Sequence, residues 1–182
     1  MAVKSFLEIV SKLAMNVQAR NKKPESERAF TEAARARLKQ ATTCEDAREG
    51  VREIVANLIG SEQMAVFEID YSKAIMWQRW SCGIDPAGSR PIDLLAFPEL
   101  CPALQGEILA FGEPMSIGCF PEPVSAIVPI PPTGEPAGLL VLFGILPQKE
   151  GLTSADRELL AVISAAAVRA VSEERRAGDA WA

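Results

Sequence analysis

Histidine does not occur anywhere in this 182-residue chain. One copy therefore has no imidazole to ligate haem or zinc, and no means of building a Ser-His-Asp triad or a Cys-His dyad. Any catalysis has to rest on cysteine, carboxylates, lysine or Tyr71, the one tyrosine. Cysteine is sparse as well. Cys44, Cys82, Cys101 and Cys119 lie far apart with no C-x-x-C spacing, the pattern of free thiols in a reducing compartment. No long hydrophobic run is present: the longest, AGLLVLFGIL over residues 137–146, has half of the roughly 20 residues that a membrane span needs. Near the start, Glu8 and Lys12 interrupt what would be the apolar core of a signal peptide. The expectation is a soluble, cytoplasmic protein with no integral membrane segment.

What is present suits one globular domain with additional helices. Hydrophobic residues make up 48% and charged residues 24%, enough apolar material for a sizeable core. The net charge of −5 is unevenly placed, because residues 1–40 hold nine Lys/Arg and four Asp/Glu and the remainder is strongly acidic. A basic arm of this kind either docks on something acidic or is the solvated surface of a helix. An acidic protein with so modest a basic segment is not expected to bind nucleic acid.

Apolar periodicity gives the order of elements. Val3, Phe6, Leu7, Val10, Leu13 and Val17 fall on one side of a helix over residues 3–18, with Lys4, Glu8, Lys12 and Asn16 opposite. Charge and Pro24 break it, and a second helix is expected over 25–41, with Arg37 lowering the burial of its apolar stripe. Thr42 and Thr43, with Glu45 or Asp46 after them, cap a third helix on Ala47, Val51, Ile54, Val55, Leu58 and Ile59 that stops at Gly60. Met64–Asp70 and Ala74–Cys82 read as a β-hairpin. Strict alternation in the second strand puts Ala74, Met76, Gln78, Trp80 and Cys82 on one face, and Ile75, Trp77, Arg79 and Ser81 on the other. Residues 83–91 read as a loop, 92–112 as one or two short helices with Leu104, Ile108, Leu109 and Phe111 on the apolar side, and 113–117 as a brief strand. Strands follow at 125–130 and 137–146 around a Pro/Gly turn at 131–136, then a helix from Thr153, capped with Asp156, to about Arg175. That helix has a wide, alanine-rich stripe, which permits close helix–helix approach.

Three segments carry a family resemblance: AIVPI at 126–130, GEPAGLLVL at 134–142 and LTSADRELL at 152–160. Strand, Gly-bounded turn, strand with a glycine at its start, and a Thr-capped helix opening in T-x-x-D-x-x-L-L resemble the C-terminal half of a GAF domain, and the resemblance extends over roughly residues 44–172. It implies an α+β fold: a central antiparallel sheet, terminal helices on one face, and a helical and loop region over the other. The implied organisation is an N-terminal helical extension over 1–42, a GAF-like domain over 43–175 and a flexible tail over 176–182. The implied role is non-catalytic regulation, by binding a small molecule or a partner protein, with many such modules dimerising through their terminal helices. The N-K-x-x-x-F-x-x-x-D-E pattern of cyclic-nucleotide-binding members is missing, and so is the Cys-His context of bilin-binding ones.

Within such a fold the ligand pocket is expected around Met76, Trp80, Cys82, Leu104, Ile108, Cys119 and Phe120. Trp80 is the side chain suited to stacking on a flat ligand, and core packing is its other role. No cofactor is named by these residues, and no metal site is expected. Should Cys82, Cys101 and Cys119 converge, they would form a thiol site like that of the free methionine sulfoxide reductases, with SCG at 81–83 and GCF at 118–120 as loose matches. A third reading makes the protein a scaffold that presents residues 1–40 to a signalling partner.

Overall fold

A computed structural model of the protein describes residues 23–84, 90–131, 136–145 and 152–178. The expected helix at 3–18, most of the turn at 131–136, the end of the strand at 146 and the last residues of the tail lie outside them.

Helices α1 (Lys23–Lys39) and α2 (Cys44–Ile54) come first, and α2 widens into a π turn at Val55–Ile59. Thr43 caps α2 by accepting from the Asp46 N–H at 3.1 Å, while the Asp46 carboxylate accepts from the Thr42 N–H at 3.3 Å. Gly60 closes the unit in the left-handed region at φ 82°, as a C-terminal glycine does. Arg37 is far more buried than its charge suggested, at 7% exposure. Its Nε donates to Glu53 of α2 at 2.9 Å and its other end meets Asp46 at 3.1 Å, so the charge is neutralised where it is buried. Gly50 leaves the space: a Cβ there would stand 3.4 Å from the Arg37 guanidinium carbon.

Six strands follow: β1 (Met64–Asp70), β2 (Ile75–Cys82), β3 (Ile92–Asp93), β4 (Leu109–Met115), β5 (Val124–Ile130) and β6 (Gly138–Leu142). They form one sheet in the order β3-β2-β1-β6-β5-β4, with every neighbouring pair antiparallel. β1 and β6 are the central pair, and Gly138 makes their close approach possible, since a Cβ there would fall 2.2 Å from the Phe67 carbonyl oxygen. Between β3 and β4 run the 3₁₀ turns Leu94–Ala96 and Pro98–Leu100 and the one-turn helix α3 (Cys101–Leu104). The long helix α4 (Ser154–Gly178) is the last described element, its start locked reciprocally: Thr153 N–H donates to Asp156 at 2.7 Å, and Asp156 N–H to the Thr153 hydroxyl at 3.2 Å.

The sheet separates two apolar cores. On one face Met64, Val66, Val128, Leu140 and Leu142 meet Leu38 of α1, Val51 and Ile54 of α2, and Leu159, Leu160 and Ile163 of α4. On the other, Phe67, Ile69, Met76, Ile127, Leu139, Val141 and Phe143 meet Leu94, Leu100, Ala103, Ile117 and Phe120. The expected layering, with terminal helices on one face and an irregular cover on the other, is the one observed. α1 contributes Ala34 and Leu38 to the first core, so this helix is built into the body of the domain.

Two local expectations are overturned. Residues 109–112 belong to β4 and not to a helix: Gly106 turns the chain at φ 94°, Leu109 pairs with Ile127 and Ala110 with Ala126, and Gly112 and Pro114 would not sustain helix. The strict alternation of β2 also fails. Val66 pairs with Trp80 but Phe67 pairs with Gln78, so Arg79 is an extra residue, a β-bulge. Met76 stays on the cover side, whereas Trp80 and Cys82 pack against the helix-side core.

Candidate functional site

The cover side of the sheet is closed by chain segments of only three or four residues, held by backbone turns such as Phe97 N–H to Leu94 O at 3.3 Å and Phe120 N–H to Ile117 O at 2.9 Å. Its centre is aromatic. Phe120, brought down from the loop before β5, stands edge-on to Phe67 of β1 at 5.3 Å and to Phe143 at 5.9 Å between ring centres. Met76 is fully buried in the same cluster, and Leu104 and Cys119 pack half-buried against it.

Of the seven residues expected to line a pocket, the structure thus brings four together: Met76, Leu104, Cys119 and Phe120. Trp80, Cys82 and Ile108 lie on the helix side. The Arg79 bulge decides the first two, and no period-2 reading of the sequence reveals it.

The cysteines do not converge either. None of the four is in a disulfide; Cys101 is exposed at the start of α3, Cys82 faces the helices and Cys119 sits under the cover. Burial pushes the Cys119 thiol up to about 11, so it stays protonated near neutral pH. Among the described residues no group of three or more Cys, Asp or Glu is placed to hold a metal ion, and no helix is long and apolar enough to cross a membrane.

Two further features were missed in the sequence. Glu68, which alternates with apolar residues and reads as water-facing, is buried on the helix side at 2% exposure, where it forms an ion pair with Arg79. The Arg79 guanidinium in turn lies 5.2 Å over the Trp77 ring. The second feature is an open groove of about 640 Å³ on the outside of the helix layer, between Arg35, Leu38 and Lys39 of α1 and Glu158, Val162 and Ala165 of α4. The alanine-rich stripe of α4 was its one visible sign.

With this architecture in place, comparison with solved structures is informative. The GAF domain of a phosphoenolpyruvate-protein phosphotransferase from Acinetobacter superposes with a TM-score of 0.64 at 15% identity, over 84% of this chain and 97% of that one. The chain has a GAF-like fold. The corresponding GAF domain from Coxiella burnetii gives a TM-score of 0.61 at 12% identity, covering 85% of this chain and 96% of that one. The same GAF-like fold is shared with free methionine-R-sulfoxide reductase from Neisseria meningitidis, solved with its substrate, at a TM-score of 0.54 and 14% identity over 85% and 93% of the two chains. No family model matches the sequence, and no curated protein does. At these identities the likeness is one of fold, shared by regulatory domains and by an enzyme.

Proposed function

We propose that this chain is a regulatory GAF-type module with no chemistry of its own. It binds a small, largely apolar molecule on the cover side of the sheet, around Met76, Leu104, Cys119 and Phe120, and passes the event to a partner protein through its helices. The observation that carries this reading is the asymmetry of the sheet. One face is sealed by three long helices, two of them with capped starts, while the other is closed by elements of three or four residues around an aromatic cluster. Short elements part at low free-energy cost, so a ligand entering beneath them shifts a population of cover conformations and need not open the main core.

A thiol reductase needs an attacking thiolate and a second thiol within reach. Cys82 and Cys119 lie on opposite sides of the sheet, and burial keeps Cys119 protonated, which speaks for the binding role. Four cysteines outside any disulfide fit a reducing compartment, and we place the protein in the cytoplasm. Pairing of two copies belongs to the same proposal, through the end of α4, whose backbone continues to Gly178 beyond Ala167, the last core residue described on it.

Native mass spectrometry of the full-length protein tests the reading. A non-covalent small-molecule adduct is expected, absent from the Leu104→Trp variant, in which the larger ring fills the cover side. A bare chain that reduces free methionine sulfoxide, and stops doing so when Cys82, Cys101 and Cys119 are all changed to serine, would replace the proposal with the enzyme. A bare chain without turnover would remove the ligand.

A further inference from the structure

The groove between α1 and α4 has an apolar floor, Leu38, Val162, Ala165 and Ala166, and a charged rim, Arg35 and Lys39 on the α1 side and Glu158 on the α4 side. We infer that this groove seats a helix of another protein: an amphipathic helix with large apolar anchors and with acids along the flank that meets α1. The inference deepens the partner half of the reading above and rests on it, but it does not depend on a ligand under the cover.

Three observations carry it. The first is length. The lining runs over residues 31–39 of α1 and 158–166 of α4, so that each stretch is about 12 Å long at 1.5 Å per residue. Apolar anchors at i, i+3 or i+4 and i+7 of a docked helix cover about 10 Å. Two turns of helix therefore fill the groove from end to end.

The second is shape. Ala161, Ala165 and Ala166 surround Val162 on the α4 wall. Ala165 is exposed and Val162 half-buried, whereas Leu159, Ile163 and Ala167 of the same helix are committed to the core. Side chains so small let a helix axis approach to the near end of the usual range of roughly 8–10 Å. Leucine, phenylalanine or methionine on the incoming face then supplies the volume that the wall lacks.

The third is charge. Arg35 and Lys39 stand four residues apart, neighbours on one side of α1. Both are exposed, and Arg35 meets Glu32 only at 3.9 Å, a surface pair that is easily left. Two cations against the single acid Glu158 make the rim net positive. Two acids one turn apart on a visiting helix would meet both cations at once, and a base on its other flank would meet Glu158. The same sign speaks against the chain's own residues 1–22 as the occupant, since they hold four Lys/Arg and one acid.

Two fluorescent model peptides of about 15 residues test this, long enough to form helix on a surface. They share one leucine stripe and differ in the flank, glutamate in one and lysine in the other. Anisotropy with the full-length protein is expected to show the glutamate peptide bound about tenfold more tightly, the gap narrowing as salt rises. The Arg35→Glu/Lys39→Glu variant, changed at exposed positions, should reverse the order. Ala165→Trp, also at an exposed position, should abolish binding of both by filling the floor. Amide exchange should slow over residues 31–39 and 158–166 when the glutamate peptide binds. Equal binding of the two peptides, an order that charge reversal leaves unchanged, or no binding at all would overturn the inference. So would light scattering that finds a dimer in the parent and a monomer in Ala165→Trp, which would give the groove to a second copy. The small-molecule adduct is read separately by mass spectrometry, so either half of the reading can fail alone.

Discussion

The two faces of the sheet are buried to similar completeness by different means. The helix face is closed by long elements with their own start and stop signals: Thr43 and Thr153 caps, the Gly60 stop, and a buried Arg37–Glu53 pair, with Asp46 at its edge, fixing α1 against α2. The cover face has local signals only: the Asp93 carboxylate caps the first 3₁₀ turn by accepting from the Leu95 N–H at 2.9 Å, and Gly106 turns the chain after α3. Its elements are too short to hold themselves, and they stay in place because Leu94, Leu100, Ile117 and Phe120 find apolar partners on the strands. Burial alone therefore does not measure how firmly a surface is closed. The helix face is cooperative, since a helix cannot give up one contact without straining its whole length. The cover face can yield one turn at a time.

The sharpest way to break the comparison is at the seam both faces share. Gly138→Ala forces a Cβ against the Phe67 carbonyl between the two central strands, and it is expected to cost about 3 kcal/mol or more, seen as a fall in the urea midpoint and in amide protection on both faces together. A loss confined to one face would mean that the faces are not coupled through β1 and β6.

The next test separates them. Leu160→Ala, on the fully buried stripe of α4, should lower global stability by about 3 kcal/mol. Phe120→Ala should cost less, because the short elements of the cover can relax into the space it leaves. Its signature is faster hydrogen exchange over residues 94–120, with α2 still protected. Equal global losses with no selective exchange would show the cover to be as cooperative as the helices.

How well the sequence speaks follows the same division. β1 was legible to the residue, and α2 and both capped helix starts were placed within a residue or two, because helix and strand periodicity and capping are local signals. The cover was not. Leu109 and Phe111 fit a helical stripe as well as a strand, and only pairing with β5 decides between them. Trp80 and Cys82 were given the wrong side because one unpaired residue, invisible to a period of two, reverses the strand after it. Arg37 reads as lowering the burial of its stripe and Glu68 as water-facing, because a charge in a sequence does not show where its counter-charge will fold.

The smallest expected effect concerns the thiols. At pH 8, a limiting amount of iodoacetamide should label exposed Cys101 first and Cys119 last, as read by peptide mass mapping. The sign of the linked pH effect follows from the raised value. Between the ordinary thiol value of 9.0 and about 11, the unfolded chain loses the Cys119 proton and the folded chain keeps it. Stability should fall as pH rises through that window and be unaffected below it. Cys119→Ser should flatten that alkaline decline. An unchanged decline would place the thiol nearer to water, and the cover would be looser than the helix face by more than is argued above.

The extra residue in β2 ties two positions of the gene together. Deleting the codon for Arg79 would leave Trp80, Ser81 and Cys82 opposite Val66, Ala65 and Met64 as they are now, so the strand itself loses nothing. What is lost is a guanidinium beside the buried Glu68 carboxylate, and removing one partner of a buried pair costs about 3–5 kcal/mol. Insertion at 79 and acid at 68 should therefore be inherited as a pair. Chains of this lineage one residue shorter in β2 are expected to carry an uncharged side chain where this one has Glu68.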